Sequence, residues 1–351
     1  MKTILINVDS EKPEDGELEE AVRIIRNGGL VAFPTETVYG LGGDAENPEA
    51  SEKIYAAKGR PSDNPLIVHI WDFSQLEEIV SSVPENARKL ADAFWPGPLT
   101  MILPKNDRIP LTTTGGLNTV AIRMPSHPVA RRFLELSNIK IAAPSANTSG
   151  RPSPTTAQHV AEDLDGKIDC IIDGGVVDIG LESTIVDLSE GLPTILRPGY
   201  INKEMLEKVV GHVEIDPGIL DINAEKEVKP KAPGMRYKHY APKGDLTIVE
   251  GQEDKVVEEI NRLVAEDKAN GYSVGVIATE ESRDKYVCDT ILTIGARKDE
   301  YSIAHNLYGI LREFDELGIQ KMYTEDFETP KIGQAIMNRL LKAAGHKTIQ
   351  V

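Results

Sequence analysis

The chain has 351 residues, is 40% hydrophobic and 27% charged, and carries a formal net charge of −17. That length implies about two domains with a large core in at least one. The charge argues against a protein whose main work is gripping nucleic acid through a basic surface, though a local basic site stays open. The two cysteines, Cys170 and Cys288, lack metal-site spacing, which argues against a disulfide framework or a zinc site. The N-terminus turns polar too soon for a signal peptide. No apolar run approaches the roughly 20 residues that span a bilayer, so a cytoplasmic protein without membrane contact is expected.

In chain order, the first block alternates short apolar runs with helical patterns. Leu30 to Phe33, Leu66 to Ile70, Thr100 to Leu103, Val120 to Ile122, Cys170 to Ile172 and Thr184 to Asp187 read as strands: β-branched-rich and bounded by Gly or Pro. Helices are expected near 15–27, 47–57, 84–94, 126–136, 155–164 and 202–210, with Ser126 and Ser153 at N-cap positions. Residues 228–244 hold five Lys or Arg, one His and no acid. They read either as a Pro-stiffened spacer or as a loop that folds onto a phosphate-bearing ligand. The second block, from about 245, has strands at Leu246 to Val249, Val274 to Ile277, Thr290 to Thr293 and Lys321 to Tyr323. Ile303, Leu307, Ile310, Leu311 and Phe314 share one helical face. This alternation predicts a small open parallel sheet.

No Gly-rich phosphate loop, dinucleotide fingerprint, zinc-protease motif or nucleophile elbow is present. The polar loops carry the chemistry instead. Thr35, Glu36 and Thr37 follow a strand, where hydroxyls orient a small polar ligand or merely cap their own turn. Glu36 fits either a general base or a structural carboxylate. Lys58 and Arg60 flank Gly59, which lets backbone approach a ligand, and the two cations suit a polyphosphate. His69 alternates with Ile67 on the following strand and is suited to a structural or a functional role. Arg123 ends a strand as a carboxylate clamp would, or as half of a buried ion pair. Ala142 to Thr155 is dense in small donors, Ser145, Asn147, Ser149 and Ser153 among them. Ser183, Thr184 and Arg197 complete the set, Arg197 facing an acidic ligand or a neighbouring carboxylate.

The ordered set Lys58-Gly-Arg60, His69, Ser145-Ala-Asn147-x-Ser149-Gly150, Ser153-Pro-Thr155, Ser183-Thr184 and Arg197-Pro-Gly199 resembles the YrdC-type threonylcarbamoyl-AMP synthases. The segment Pro233 to Pro242 and the second block resemble the longer, two-domain branch of that family. The likeness covers essentially the whole chain.

The resemblance implies an α/β fold. A YrdC-like twisted open mixed sheet with a concave, locally positive cavity would fill 1–212, residues 213–244 would form a linker and lid with the cationic segment 228–244, and a smaller Rossmann-like domain would fill 245–351. It implies that Thr35, His69, Arg123, Ala143 and Ser183 surround threonine and its carbamate. Arg60, Asn64, Thr119, Ser145, Ser153 and Arg197 would hold ATP, with Lys58 near the phosphates and Tyr237 closing over the nucleotide.

The implied reaction joins L-threonine, bicarbonate or CO2 and ATP into L-threonylcarbamoyladenylate and releases pyrophosphate, a nucleotidyl transfer with Mg²⁺ on the phosphates. Because the carbamate nucleophile is already anionic, alignment and charge neutralisation suffice, with Lys58 and Arg60 supplying cations. The labile product would pass to a tRNA threonylcarbamoyl transferase complex that modifies tRNA next to the anticodon, with a weak RNA contact alongside. An RNA-binding module of the same fold is opposed by the acidic charge and the lack of aromatic–basic interleaving. A carbamoyltransferase is opposed by the missing zinc-finger cysteines.

Overall fold

The computed structural model describes residues 2–220, 231–232, 239–327 and 331–351. They divide into two compact units. The first comprises 1–149, 153–178 and 182–237, and the second comprises 150–152, 179–181 and 238–351.

The first unit is built on an eleven-stranded mixed sheet. Its strands are β1 (Ile4–Asn7), β2 (Val31–Phe33), β3 (Gly40–Asp44), β4 (Ile67–His69), β5 (Leu99–Pro104), β6 (Thr119–Arg123), β7 (Ile141–Ala142), β8 (Cys170–Asp173), β9 (Thr184–Asp187), β10 (Thr194–Arg197) and β11 (Glu214–Ile215), in the order β1-β8-β2-β3-β7-β4-β6-β5-β9-β10-β11. The helices are α1 (Asp15–Arg26), α2 (Pro48–Lys58), α3 (Ser74–Ile79), α4 (Glu85–Phe94), α5 (Pro128–Ser137), α6 (Ala157–Leu164), α7 (Lys203–Val210) and the one-turn α8 (Pro217–Leu220).

Period decides the packing. In α1, Leu18, Ala21, Val22 and Ile25 recur at helical spacing and are buried with α5 against Val31 and Phe33. Ala32, between those two, points to the opposite face and joins the larger core. A strand covered on both sides reads as a continuous apolar run, which is why β2 is visible in the sequence. Further along the sheet the two faces differ. Val68, Met101, Leu103, Val120, Ile122, Val186 and Ile195 enter the larger core beneath α3, α4 and α7. Their alternates Ile67, Ile102, Ala121, Ile185 and Leu196 form a small cluster that contains no helix residue and is capped by Ala232.

Both expected N-caps shift. The cap of α5 is His127, whose side chain accepts from Val129 N, not Ser126. The cap of α6 is Thr156, which accepts from His159 N, not Ser153. In each case the nearer side chain reaches the orphan amides of the first turn, and a pair of prolines pushes the helix start downstream.

The second unit is a five-stranded, all-parallel sheet: β12 (Asp245–Glu250), β13 (Val274–Thr279), β14 (Thr290–Gly295), β15 (Lys321–Glu325) and β16 (Thr348–Gln350), in the order β14-β13-β15-β12-β16. Helices α9 (Glu253–Ala269), α10 (Glu300–Glu316) and α11 (Gly333–Ala343) accompany it. Ile303, Leu307, Ile310, Leu311 and Phe314 are all buried on α10, as the helical period requires. Among the described residues no helix is long and apolar enough to cross a membrane.

Candidate active site

The open face of the first sheet collects the polar groups. Parallel pairing of β4 with β6 sets Ile67 beside Ala121 and His69 beside Arg123, and antiparallel β5 sets Thr100 opposite Arg123. Strand alternation puts His69 and Arg123 on the same side as the Ile67–Ala121 cluster. Ser183, just ahead of β9, shares a hydrogen bond with Thr100, Oγ1 to Oγ, at 2.7 Å. Arg197 donates from Nε to Ser183 O at 3.1 Å and from Nη2 to Ser183 Oγ at 3.2 Å. His69, Arg123, Ser183 and Arg197 therefore gather where β4 and β6 end and β5 and β9 begin.

The turn 34–38 closes this end. Thr35 Oγ1 donates to Val38 O at 2.6 Å and accepts from the amides of Thr37 and Val38, the self-capping arrangement open to a threonine in such a turn. Arg123 Nη1 donates to Thr37 Oγ1 at 2.8 Å. Glu36 Oε1 lies 2.8 Å from Arg123 Nη2, and both side chains are 5% exposed. The two form a buried ion pair, in which Arg123 Nε and Glu36 Oε2 are left without a hydrogen bond. Beside it, His69 is fully enclosed, and burial, then the Arg123 charge, lowers its pKa to about 3, so the imidazole is neutral at physiological pH. Its Nδ1 is 3.1 Å from Ile67 O, and its ring meets Phe33 edge-on at 6.0 Å.

A second group lies toward the other end of β4 and β6. Gly59 caps α2 in the left-handed conformation, at φ 61°, and nothing stands within 4 Å of where its Cβ would be. Glycine adopts this dihedral without strain. The cap turns Lys58 inward and sends Arg60 toward β4. Lys58 is buried, and its Nζ donates to Ser145 O at 2.5 Å and to Asn147 O. Ser149 N returns a bond to Lys58 O at 2.8 Å. The lysine thus holds the 145–149 loop in place and lends it a charge. Ser145 Oγ donates to Asn147 Oδ1 at 2.5 Å. Arg60 donates to Asn64 O at 3.3 Å and Pro65 O at 3.1 Å. Asn64 is buried with its Oδ1 unbonded. Thr119 opens β6, four residues before Arg123 on the same face, roughly 13 Å away at strand rise. Ala143 lies between the ends, its amide on Ile67 O at 2.8 Å.

The residues of interest thus fall into two groups on one face. Arg60, Asn64, Thr119, Ser145 and Lys58 are at one end, and Thr35, His69, Arg123 and Ser183 at the other. Arg197 sits with Ser183, and Ser153, whose Oγ donates to Glu182 Oε1 at 2.5 Å, adjoins the same segment. Ser153 therefore faces a carboxylate rather than a helix N-terminus. Tyr237 lies outside the described residues. Thr100 and Glu182 join the network without having been singled out as ligands. The one signal for Thr100 is a lone hydroxyl heading an apolar strand.

Comparison with known proteins fits this arrangement. The Sua5–YciO–YrdC family model, described as telomere recombination, matches residues 23–199. A second model, described as threonylcarbamoyl-AMP synthase, C-terminal domain, matches residues 201–345. The threonylcarbamoyl-AMP synthase of Pyrococcus abyssi is 49% identical over 99% of this chain and all of its own length. The chain belongs to the Sua5–YciO–YrdC family. Within it, the Bacillus subtilis threonylcarbamoyl-AMP synthase is also 49% identical, over 97% of each chain. The crystal structure of P. abyssi Sua5 complexed with L-threonine superposes with a TM-score of 0.93, covering 99% of this chain and all of that one. Escherichia coli YciO, at 25% identity and a TM-score of 0.51, covers 56% of this chain. The likeness to Sua5 runs through both units, whereas that to YciO covers little more than half.

Proposed function

We propose that the chain synthesises L-threonylcarbamoyladenylate from L-threonine, bicarbonate or CO2 and ATP, releasing pyrophosphate, as the first step of threonylcarbamoyladenosine formation in tRNA. The reaction class is adenylyl transfer to a carbamate. The observation that carries this reading is Arg123: a buried guanidinium whose Nη2 is ion-paired with Glu36 at 2.8 Å and whose Nε has no hydrogen bond, on the same face as the Arg60–Ser145 group and one strand length from it. A guanidinium deprived of water binds a carboxylate strongly, because no solvent bond is given up.

Threonine's carboxylate takes the Nε–Nη2 edge of Arg123, displacing Glu36 from Nη2. Neutral His69 and the Ser183 hydroxyl lie beside it and discriminate by hydrogen bonding, not charge. Mg²⁺ would accompany ATP and neutralise phosphate charge, needing few protein ligands of its own. Arg60, Asn64, Thr119 and Ser145 receive ATP, with the Lys58 charge behind their loop and Arg197 and Ser153 near the join. The threonine carbamate then attacks the α-phosphorus, the bond to the bridging oxygen breaks, and pyrophosphate leaves. No protein nucleophile takes part; alignment and cations do the work.

Tyr237 belongs to the stretch that follows Ala232, which packs fully buried on the face carrying His69 and Arg123. In this reading the linker closes over the nucleotide and keeps water from a labile adenylate. We further propose a cytoplasmic enzyme whose product passes to a tRNA threonylcarbamoyl transferase complex, with at most a weak RNA contact of its own.

The test is incubation with ATP, bicarbonate and each amino acid in turn, with chromatography of the adenylates. A threonine-dependent adduct and stoichiometric pyrophosphate are expected. Adducts with every amino acid alike, or none, would sink the reading.

A further inference from the structure

Carbamoylation of threonine has a proton to place. At neutral pH the substrate nitrogen is an ammonium, and only the free amine adds to carbon. When the N–C bond forms and bicarbonate's C–OH bond breaks, the ammonium loses two protons. One leaves with the hydroxide as water, and the other needs an acceptor. His69 is a poor one, since burial and the Arg123 charge bring its pKa down to about 3.

Glu36 has the required properties. It is 4% exposed, and its Oε2 lacks a hydrogen bond. It is ion-paired at 2.8 Å with Nη2 of a guanidinium whose own Nε has no hydrogen bond. A buried carboxylate and a buried guanidinium, side by side and each with a polar atom left without a hydrogen bond, are the mirror image of an amino-acid zwitterion. A substrate carboxylate on Arg123 sets the α-nitrogen two bonds away, within reach of the neighbouring Glu36. As the substrate takes over the guanidinium, Glu36 loses part of its counter-charge and the ammonium becomes its partner. The charged groups facing Glu36 are Arg123 from β6 and His127 ahead of α5, whose pKa its charge raises against a larger lowering by burial.

We propose that Glu36 is the catalytic base of the first half-reaction: it binds the α-ammonium of the amino-acid substrate and takes up the proton released as the carbamate forms. This rests on the functional reading above and assigns a step within it.

The test uses the full-length chain in two directions. Forward, adenylate formation from threonine, bicarbonate and ATP is followed from about pH 7 to pH 9, approaching the range where an amine gives up its own proton. In reverse, synthetic threonylcarbamoyl-AMP and pyrophosphate are converted to ATP, a step with no ammonium to deprotonate. Wild type doing neither would defeat the functional reading and leave nothing for Glu36 to serve. With wild type active, Glu36→Gln is expected to lose about 100-fold or more forward at neutral pH, the usual scale for removing a general base. It should regain about tenfold per pH unit on the way up and stay within about threefold in reverse. A forward rate within threefold of wild type overturns the proposal, as does an equal loss in both directions with no recovery at high pH. Should Glu36→Gln fail to fold, Glu36→Asp decides. A retained carboxylate should keep the pH profile of wild type, and a profile that climbs with pH overturns the assignment.

Discussion

At the residue scale, the Arg123–Glu36 pair governs what substitutions cost. Removing one partner strands the other charge in a dry interior, so Arg123→Ala should lower stability by about 3 kcal/mol, measured by denaturant unfolding. Adding Glu36→Gln should recover part of that loss. The same Arg123→Ala change should raise the KM for threonine about 10- to 100-fold, the worth of a charge-assisted hydrogen bond, with little change for ATP. Equal rises for both substrates would argue against the clamp. His69 gives a pH signature. Its pKa in the fold is about 3 against an unfolded value near 6.5, so below about 6.5 the unfolded chain binds a proton that the native chain refuses. Stability therefore falls as pH drops from about 6.5, by up to about 1.4 kcal/mol per pH unit from this group, and is indifferent to it above that. His127, also lowered by burial, acts in the same direction. The melting temperature of His69→Gln should fall less between pH 7 and pH 5 than that of wild type; an unchanged difference would count against the buried neutral imidazole.

At the element scale, α2 and its cap position the 145–149 loop, on the side proposed to receive ATP. Lys58 ties the 145–149 loop through two carbonyls. Lys58→Met keeps the bulk but strands both acceptors, at a cost of about 1–3 kcal/mol. Faster amide exchange across 145–149 and a higher KM for ATP are expected, and exchange unchanged there would refute the tether. Legibility also varies by element. Strands covered on both faces, such as Val31–Phe33, were visible as unbroken apolar runs. Gly40–Asp44 was not, because β3 is mostly glycine. At Gly42 a Cβ would stand 2.7 Å from Ile141 Cγ2, so close packing with β7 demands the residue that hides the strand. Two-residue strands such as Ile141–Ala142 have no room for a period. N-cap assignment failed by one to three residues because sequence names candidates while side-chain reach selects among them.

For the whole molecule, the two units have separate cores. A chain ending near residue 230 should keep the first unit folded, since both of its large clusters draw only on residues before that point. It should nonetheless turn over slowly, because Ala232 and all that follows are gone. Circular dichroism together with adenylate formation checks both halves, and full turnover by the truncated chain would rule out the lid. Two short segments of the first block, 150–152 and 179–181, group with the second unit, although nothing in their sequence sets them apart.

Local information reaches a long way in this protein. Helix and strand periods, the parallel character of the second sheet and the ordered polar loops after strands are properties of neighbouring residues, and they were legible from the chain alone. So was the family, because an ordered set of loop motifs is itself a local record. What the sequence left open was the state of each polar group. Whether Thr35 points at a ligand or caps its own turn, whether His69 carries a charge, and whether Glu36 is bonded or left over depend on groups dozens of residues away. Parallel pairing of β4 with β6 puts Arg123 beside His69, and the 34–38 turn then brings Glu36 onto the same guanidinium. Burial and cross-strand register are set by the assembled fold, and they decide which groups each side chain meets there.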